Sequence, residues 1–258
     1  MGRYIVKGSL CRTEHIYFEN LSNDFSTTAD RVVVHGAKES NNRFESYNRN
    51  RNKQLSLISN LGGDKEQIIK GLAKTIRNEI NRCIREHVSV RQYTFADVLR
   101  DRKILERVGE TYSAMYQEKG MGKVLLPVND FLAYAANKSF YLTAAIIDGQ
   151  EVVYHAYVTD EANTRLLISC SEFRVADKAL RNAIGRANKY LHWEDMMFFK
   201  DLGVKKYDWG GVSSFENPNG IDKFKMGFGG IPVEYYNITY IFGWKAKLID
   251  LIRKMVRI

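Results

Sequence analysis

The stretch FYLTAAIIDGQEVVYHAYVTD, residues 140–160, constrains the fold more than any other segment. Two runs of β-branched and aromatic residues flank Asp148-Gly149, a dipeptide that accepts the positive φ angles of a tight hairpin. TRLLISCSEF (164–173) reads as a third strand, so an antiparallel meander is expected. Beyond it the pattern calls for an apolar helix over 181–202, a strand at VKKYDWGGV (204–212), a short helix, and a last strand at VEYYNITYIFG (233–243). The fold class expected is α+β, with a largely antiparallel central sheet flanked by helices.

Upstream, YIVKGSL, HIYFE and RVVVHGA are short strand candidates, and QLSLISNL (54–61) is a fourth. NNRFESYNRNRNKQ (41–54) is rich in Asn and Arg and reads as a loop. Gly62-Gly63-Asp64 opens a helix with Asp64 as its N-cap, and Leu72, Ile76, Ile80, Cys83 and Ile84 recur at helical spacing as a buried stripe. A second helix is expected from Phe95 to Lys119, ended by Gly120 and Gly122. The expected organisation is a β-rich segment 1–60, a main domain 61–242 and a basic amphipathic helix 243–258.

Charge and cysteine content narrow the functions. The net charge of +9 favours anionic partners: nucleic acid, phosphorylated small molecules or an anionic membrane surface. Cys11, Cys83 and Cys170 are far apart and form no CxxC pattern, so neither a zinc site nor a disulfide framework is expected, and no metal is assigned. Reduced thiols fit a cytoplasmic protein. No window of about 18 apolar residues occurs, and the start carries no signal-peptide pattern.

Three places carry chemistry. The segment YDWGGVSSFENPNGIDKFKMGFGG (207–230) holds six glycines beside Asp208, Lys223 and Lys225. Gly210 and Gly211 let backbone pass close to a ligand, and Asn217-Pro218-Asn219-Gly220 is turn chemistry that launches a short helix. Next, Arg181, Asn182, Gly185, Arg186 and Ala187 read as a strand-to-helix turn, where small residues expose backbone N–H groups to a phosphate. An ordinary loop is the alternative. Finally, WKAKLIDLIRKMVRI (244–258) puts Trp244, Leu248, Leu251, Ile252 and Met255 on one face with cations on the rest. Such a helix lies on an anionic bilayer or docks its apolar face on the domain. Arg43, Arg49, Arg51 and Lys53, interleaved with Phe44 and Tyr47, suit single-stranded nucleic acid or a plain surface loop. His155 alternates with Val153 and Tyr157 on one strand face and reads as a packed core histidine or a general base.

The meander, Gly-x-Ala turn, helix and strand resemble the GNAT acyltransferases. Three segments resemble its Fem-like branch, which includes the aminoacyltransferases that build peptidoglycan bridges. KTIRNEINRCIREHVSV (74–90) resembles the branch's Lys-x-x-Arg-x-x-Ile helix. HWEDMMFFKDLGVKKYDWGGV (192–212) resembles its Trp-Glu helix ending in Tyr-Asp-x-Gly-Gly. GIDKFKMGFGG (220–230) resembles its Gly-x-x-Arg-Phe-Lys-x-Gly-Phe-Gly-Gly segment, with Lys223 in place of Arg.

The resemblance implies an N-acyltransferase with no permanently bound cofactor. Its donor is acyl-coenzyme A or aminoacyl-tRNA, and its acceptor a small or lipid-linked phosphate-bearing amine of the cell envelope. Phe224 and Lys225 then face the donor, and Lys225 stabilises the developing oxyanion. Asp208 orients the amine or takes its proton, and Glu172 is a second candidate base. Arg181, Asn182, Gly185, Arg186 and Ala187 hold donor phosphate; Lys74, Arg77 and Lys223 hold the acceptor. The expected setting is cytoplasmic, with peripheral contact at the membrane's inner face through 244–258. The alternative is an RNA- or membrane-surface-binding protein without catalysis.

Overall fold

The computed structural model describes residues 2–8, 10–172 and 177–256. In chain order the elements are β1 (Gly2–Lys7), β2 (Arg12–Tyr17), β3 (Arg31–Ala37), β4 (Asn48–Asn60), α1 (Lys65–Lys70), α2 (Lys74–Arg85), β5 (Ser89–Tyr93), α3 (Phe95–Arg100), α4 (Lys103–Glu118), α5 (Val128–Ala136), β6 (Phe140–Ile147), β7 (Gln150–Thr159), β8 (Asn163–Ser171), α6 (Lys178–Asp201), β9 (Lys206–Val212), α7 (Gly220–Met226), β10 (Ile231–Ile241) and α8 (Trp244–Val256). Phe173, the end of the expected third strand, and residues 257–258 of the expected terminal helix lie outside the described residues.

The chain packs as two compact units, one of residues 1–56 with 233–258 and one of residues 57–232. In the first unit the strand order is β1-β2-β3-β10-β4. β1 with β2 and β10 with β3 run antiparallel, while β2 and β3 run parallel. Val32, Val34, Ile238 and Tyr240 fill the core of this unit, joined by Phe44. The last strand thus completes the N-terminal strands. That differs from the sequence-based division, because VEYYNITYI finds its register against RVVVHGA.

The Asn/Arg-rich stretch is not a loop. Asn41 caps a 3-10 turn over Asn42–Tyr47 that buries Phe44, and β4 begins directly at Asn48. Two of its cations are held on β10: the Arg51 guanidinium stands 3.9 Å over the Tyr236 ring and Lys53 Nζ lies 2.9 Å from Glu234. Arg43 donates to the Asn23 carbonyl. Cross-strand partners override the poor strand propensity of Asn.

In the second unit the order is β9-β8-β7-β6-β5, with the last residues of β4 beside β9. The expected meander is present: β5, β6, β7 and β8 pair antiparallel in turn, and β8 pairs β9 in parallel. Asp148 and Gly149 turn the β6–β7 hairpin with φ of 50° and 81°. Asp64 caps α1 as expected, accepting the Gln67 N–H at 2.7 Å while Gln67 reaches back to the Asp64 N–H. The stripe on α2 buries Ile76, Ile80 and Cys83, but Ile84 is turned one helical step further and faces water. The helix expected over Phe95–Lys119 is two helices. Asp101 adopts an extended conformation between them, and Thr94 caps the first, with the Asp97 side chain accepting the Thr94 N–H at 2.9 Å. α6 covers the meander through Ile184, Ala187 and Leu191, which pack on Ala145, Val152 and Val153.

Candidate active site

The site is assembled where β9 ends and α7 begins. Asn219 caps α7 by accepting the Ile221 and Asp222 N–H groups at 2.8 and 3.0 Å. Asp222 returns the favour to the Asn219 N–H at 3.1 Å and also accepts the Ser213 N–H at 3.0 Å and the Ser213 hydroxyl. These bonds hold the Asp222 carboxyl below its usual range although burial opposes them. They tie the start of α7 to the residue just after β9. The Gly-Phe-Gly-Gly run then closes tightly: Gly229 has φ of 76° and its α-carbon faces the Gly71 carbonyl closely enough that a β-carbon would sit 3.1 Å from it.

α7 presents two side chains. Phe224 turns inward, its ring 5.4 Å from that of Phe228 and 5.5 Å from that of His192. Lys225 is half-buried, and its ammonium donates to the Gly211 carbonyl at 2.7 Å. Burial pushes its pKa down; the nearby Asp208 and Asp222 charges hold it up, and Arg165 pushes it down further. Arg165 on β8 is in register with Asp208 on β9, and its Nε lies 3.7 Å from the carboxylate. Asp208 is 7% exposed, and its other oxygen accepts the Gly210 N–H at 2.9 Å. Its charge serves the strand end, Arg165 and Lys225.

Behind Phe224 runs a buried polar chain. The His155 ring lies 2.7 Å from Asp195 and 2.8 Å from Asn188, one contact at each nitrogen. The Tyr157 hydroxyl donates to Asp195 at 2.6 Å and lies 2.7 Å from that of Tyr207, which lies 3.1 Å from His192 Nδ1. Burial, then the charge of Asp195, pushes both tyrosines well above their ordinary pKa. Burial, with His155 and Lys225 nearby, pushes His192 well below its own.

His155, His192 and Asp195 stand close enough for a shared metal ion. Their chemistry does not fit one. Both nitrogens of His155 are committed to hydrogen bonds, and the two imidazoles stack at 3.9 Å with planes 27° apart. Stacked rings send their lone pairs alongside each other instead of toward one point. The cluster is a hydrogen-bonded support under the site.

No known family's sequence profile matches the chain, and no curated protein does. Solved structures do. FemX aligns with a TM-score of 0.60 at 12% identity, over 77% of this chain and 63% of its own. L-PGS from Bacillus licheniformis aligns with a TM-score of 0.51 at 12% identity, over 86% of this chain and 72% of its own. A conserved protein of unknown function from Bacteroides thetaiotaomicron aligns with a TM-score of 0.51 at 10% identity, over 82% and 70%. The chain has a FemX-like fold. It spans less than two thirds of FemX.

Within this fold the other sequence candidates fall elsewhere. Arg181, Asn182, Gly185, Arg186 and Ala187 do not form a turn. α6 starts at Lys178 under the Asp177 cap, so their N–H groups are helical and point at carbonyls, not at a ligand. Ala187 is wholly buried in the core. Arg181, Asn182, Gly185 and Arg186 instead line a groove of about 810 Å³ with Arg82 and Arg85 of α2. Arg186 and Arg82 share Glu86, at 2.9 and 2.7 Å. Cations exceed carboxylates along this groove.

Lys74 and Arg77 lie on α2, and Asn78, Asn81, Arg82 and Arg85 are the residues α2 gives the groove. Lys223 is exposed on α7. Glu172 is exposed after β8 and lines a separate cavity of about 380 Å³ with Arg107, Glu110, Met115 and Tyr154. Strand alternation sets Tyr154 on the sheet face opposite His155 and Tyr157, so Glu172 is not brought to Lys225. Arg165, Tyr157, Tyr207, Asp195 and Asp222 carry no local sequence signal as site residues. Only the alternation of β7, which sets His155 and Tyr157 together, points to any of them.

Proposed function

We propose that the chain is an N-acyltransferase that moves an acyl or aminoacyl group to an amine of a phosphate-bearing cell-envelope precursor, working on the cytoplasmic side. The donor is acyl-coenzyme A or an aminoacyl-tRNA. The observation that carries this reading is Lys225: a half-buried ammonium at the open end of β9, held by the Gly211 carbonyl and flanked by Asp208.

The acceptor nitrogen attacks the donor carbonyl, and the tetrahedral intermediate puts negative charge on that oxygen. The Lys225 ammonium neutralises it; one such donor is worth about 3–4 kcal/mol in a water-poor site. The carbon–oxygen or carbon–sulfur bond to the donor then breaks, and the proton shed by the amine leaves with the departing oxygen or sulfur. Asp208 and Asp222 keep Lys225 charged against the cost of burial. Phe224 excludes water on one side. The donor's phosphates occupy the α2–α6 groove. Gly185 and His192 lie seven residues apart on α6, about 10 Å along the helix and on nearly the same face. An extended phosphorylated donor spans that interval.

The test supplies acetyl-coenzyme A and charged tRNA separately, with a panel of amines, to the wild type and to Lys225→Met. Release of thiol or of uncharged tRNA with amide formation, lost in Lys225→Met, supports the reading. Binding of either donor without turnover under any condition would assign the groove to a binding protein instead.

A further inference from the structure

We propose that α8 is a membrane-surface helix whose partner is an anionic lipid bilayer. The helix is fixed in its own unit on one side only. Gly243 at its start donates to the Asp30 carbonyl at 3.0 Å, and the Lys247 N–H closes the first turn on Gly243 at 3.2 Å. Ala246 is wholly buried, and Ile249 and Asp250 are half-buried. At 100° per residue these three fall on one side of the helix. Trp244, Leu248, Leu251 and Ile252 fall within an arc of about 100° on the other side. They are 70%, 50%, 51% and 51% exposed. The sequence pattern left two places for this apolar face, the domain or a bilayer, and the helix's own unit leaves it exposed.

What covers the face is decided by charge. The segment 244–258 carries Lys245, Lys247, Arg253, Lys254 and Arg257 against the single carboxylate of Asp250. Helical spacing sets Lys245 on one flank of the apolar stripe and Lys247 on the other. A second copy of this helix packed on the same stripe brings two such cationic flanks together. An anionic lipid surface meets both features at once, the stripe entering the acyl boundary and the flanking cations meeting headgroups. Among the described residues no helix is long and apolar enough to cross a membrane, so the contact is one of lying on the surface. Acyl transfer is not needed for it.

The test is cosedimentation of the full chain with vesicles of phosphatidylcholine, alone or with about one third phosphatidylglycerol. Trp193 and Trp209 are buried, so Trp244 reports insertion by a blue shift of its emission. Expected are binding to the anionic vesicles only, a loss of about tenfold or more in Lys245→Glu with Lys247→Glu, and loss of the blue shift in Leu248→Asp with Leu251→Asp. All four changes are at exposed positions, and circular dichroism checks that the fold persists. No binding to anionic vesicles, or equal binding to both kinds, overturns the proposal. So does a concentration-dependent dimer that the leucine variant abolishes while lipid binding is absent. A negative result here leaves the Lys225 transfer assay unaffected.

Discussion

Acidification should unfold this protein partly through His192. The ring is 1% exposed, and burial is the largest reason its pKa lies well below 6.5. The unfolded chain binds this proton as pH falls through 6.5, and the folded chain does not. Stability is therefore full above that pH and declines below it. At about pH 5 the unfolded ring lies about 1.5 units below its own pKa, so at about 1.4 kcal/mol per unit the loss through this ring is at most about 2 kcal/mol. The assay is urea unfolding followed by the emission of Trp193 and Trp209, at about pH 7 and about pH 5, in wild type and His192→Gln. Carboxylates titrate in both proteins, so the quantity read is the difference between the two losses. The wild type should lose more than the variant, by up to about 2 kcal/mol. Equal losses would mean that the ring takes up its proton in the folded chain and is not held in a closed, desolvated support behind Phe224.

Two further outcomes follow from the packing. Gly210→Ala should cost about 2 kcal/mol or more by urea midpoint, since φ there is 70° and the added β-carbon would stand 2.9 Å from the Leu166 carbonyl; an unchanged midpoint would show that the end of β9 gives way freely. Burial pushes Cys83 up to about 11 and Cys170 up to about 12, so a thiol reagent at mildly alkaline pH should label Cys11 quickly in the native protein and all three thiols only after denaturation.

Local chemistry made much of the fold legible. Asp148-Gly149 specifies its hairpin because few other dipeptides take both positive φ angles, and Asp64 announces α1 because its carboxylate answers an orphan N–H. Residues 48–53 were not legible as strand, because Arg51 and Lys53 are held there by Tyr236 and Glu234, nearly two hundred residues away in sequence. The start of α6 was misplaced for a related reason. Gly185 suggests a turn by composition, but packing of Ile184 and Ala187 on β6 and β7 carries the helix through it. At the site, Asn219 and Lys225 were legible from the glycine-studded motif, whereas Arg165 reaches Asp208 only through a parallel strand register that no local pattern encodes.

The central claim is that the Lys225 ammonium stabilises a carbonyl oxygen under attack. Once the donor is identified, single-turnover transfer should be compared in wild type and Lys225→Met, with donor affinity measured separately. The account predicts a rate lower by about 10²–10³ with affinity nearly unchanged. A rate within a few fold of wild type, or a defect lying wholly in donor affinity, would contradict it.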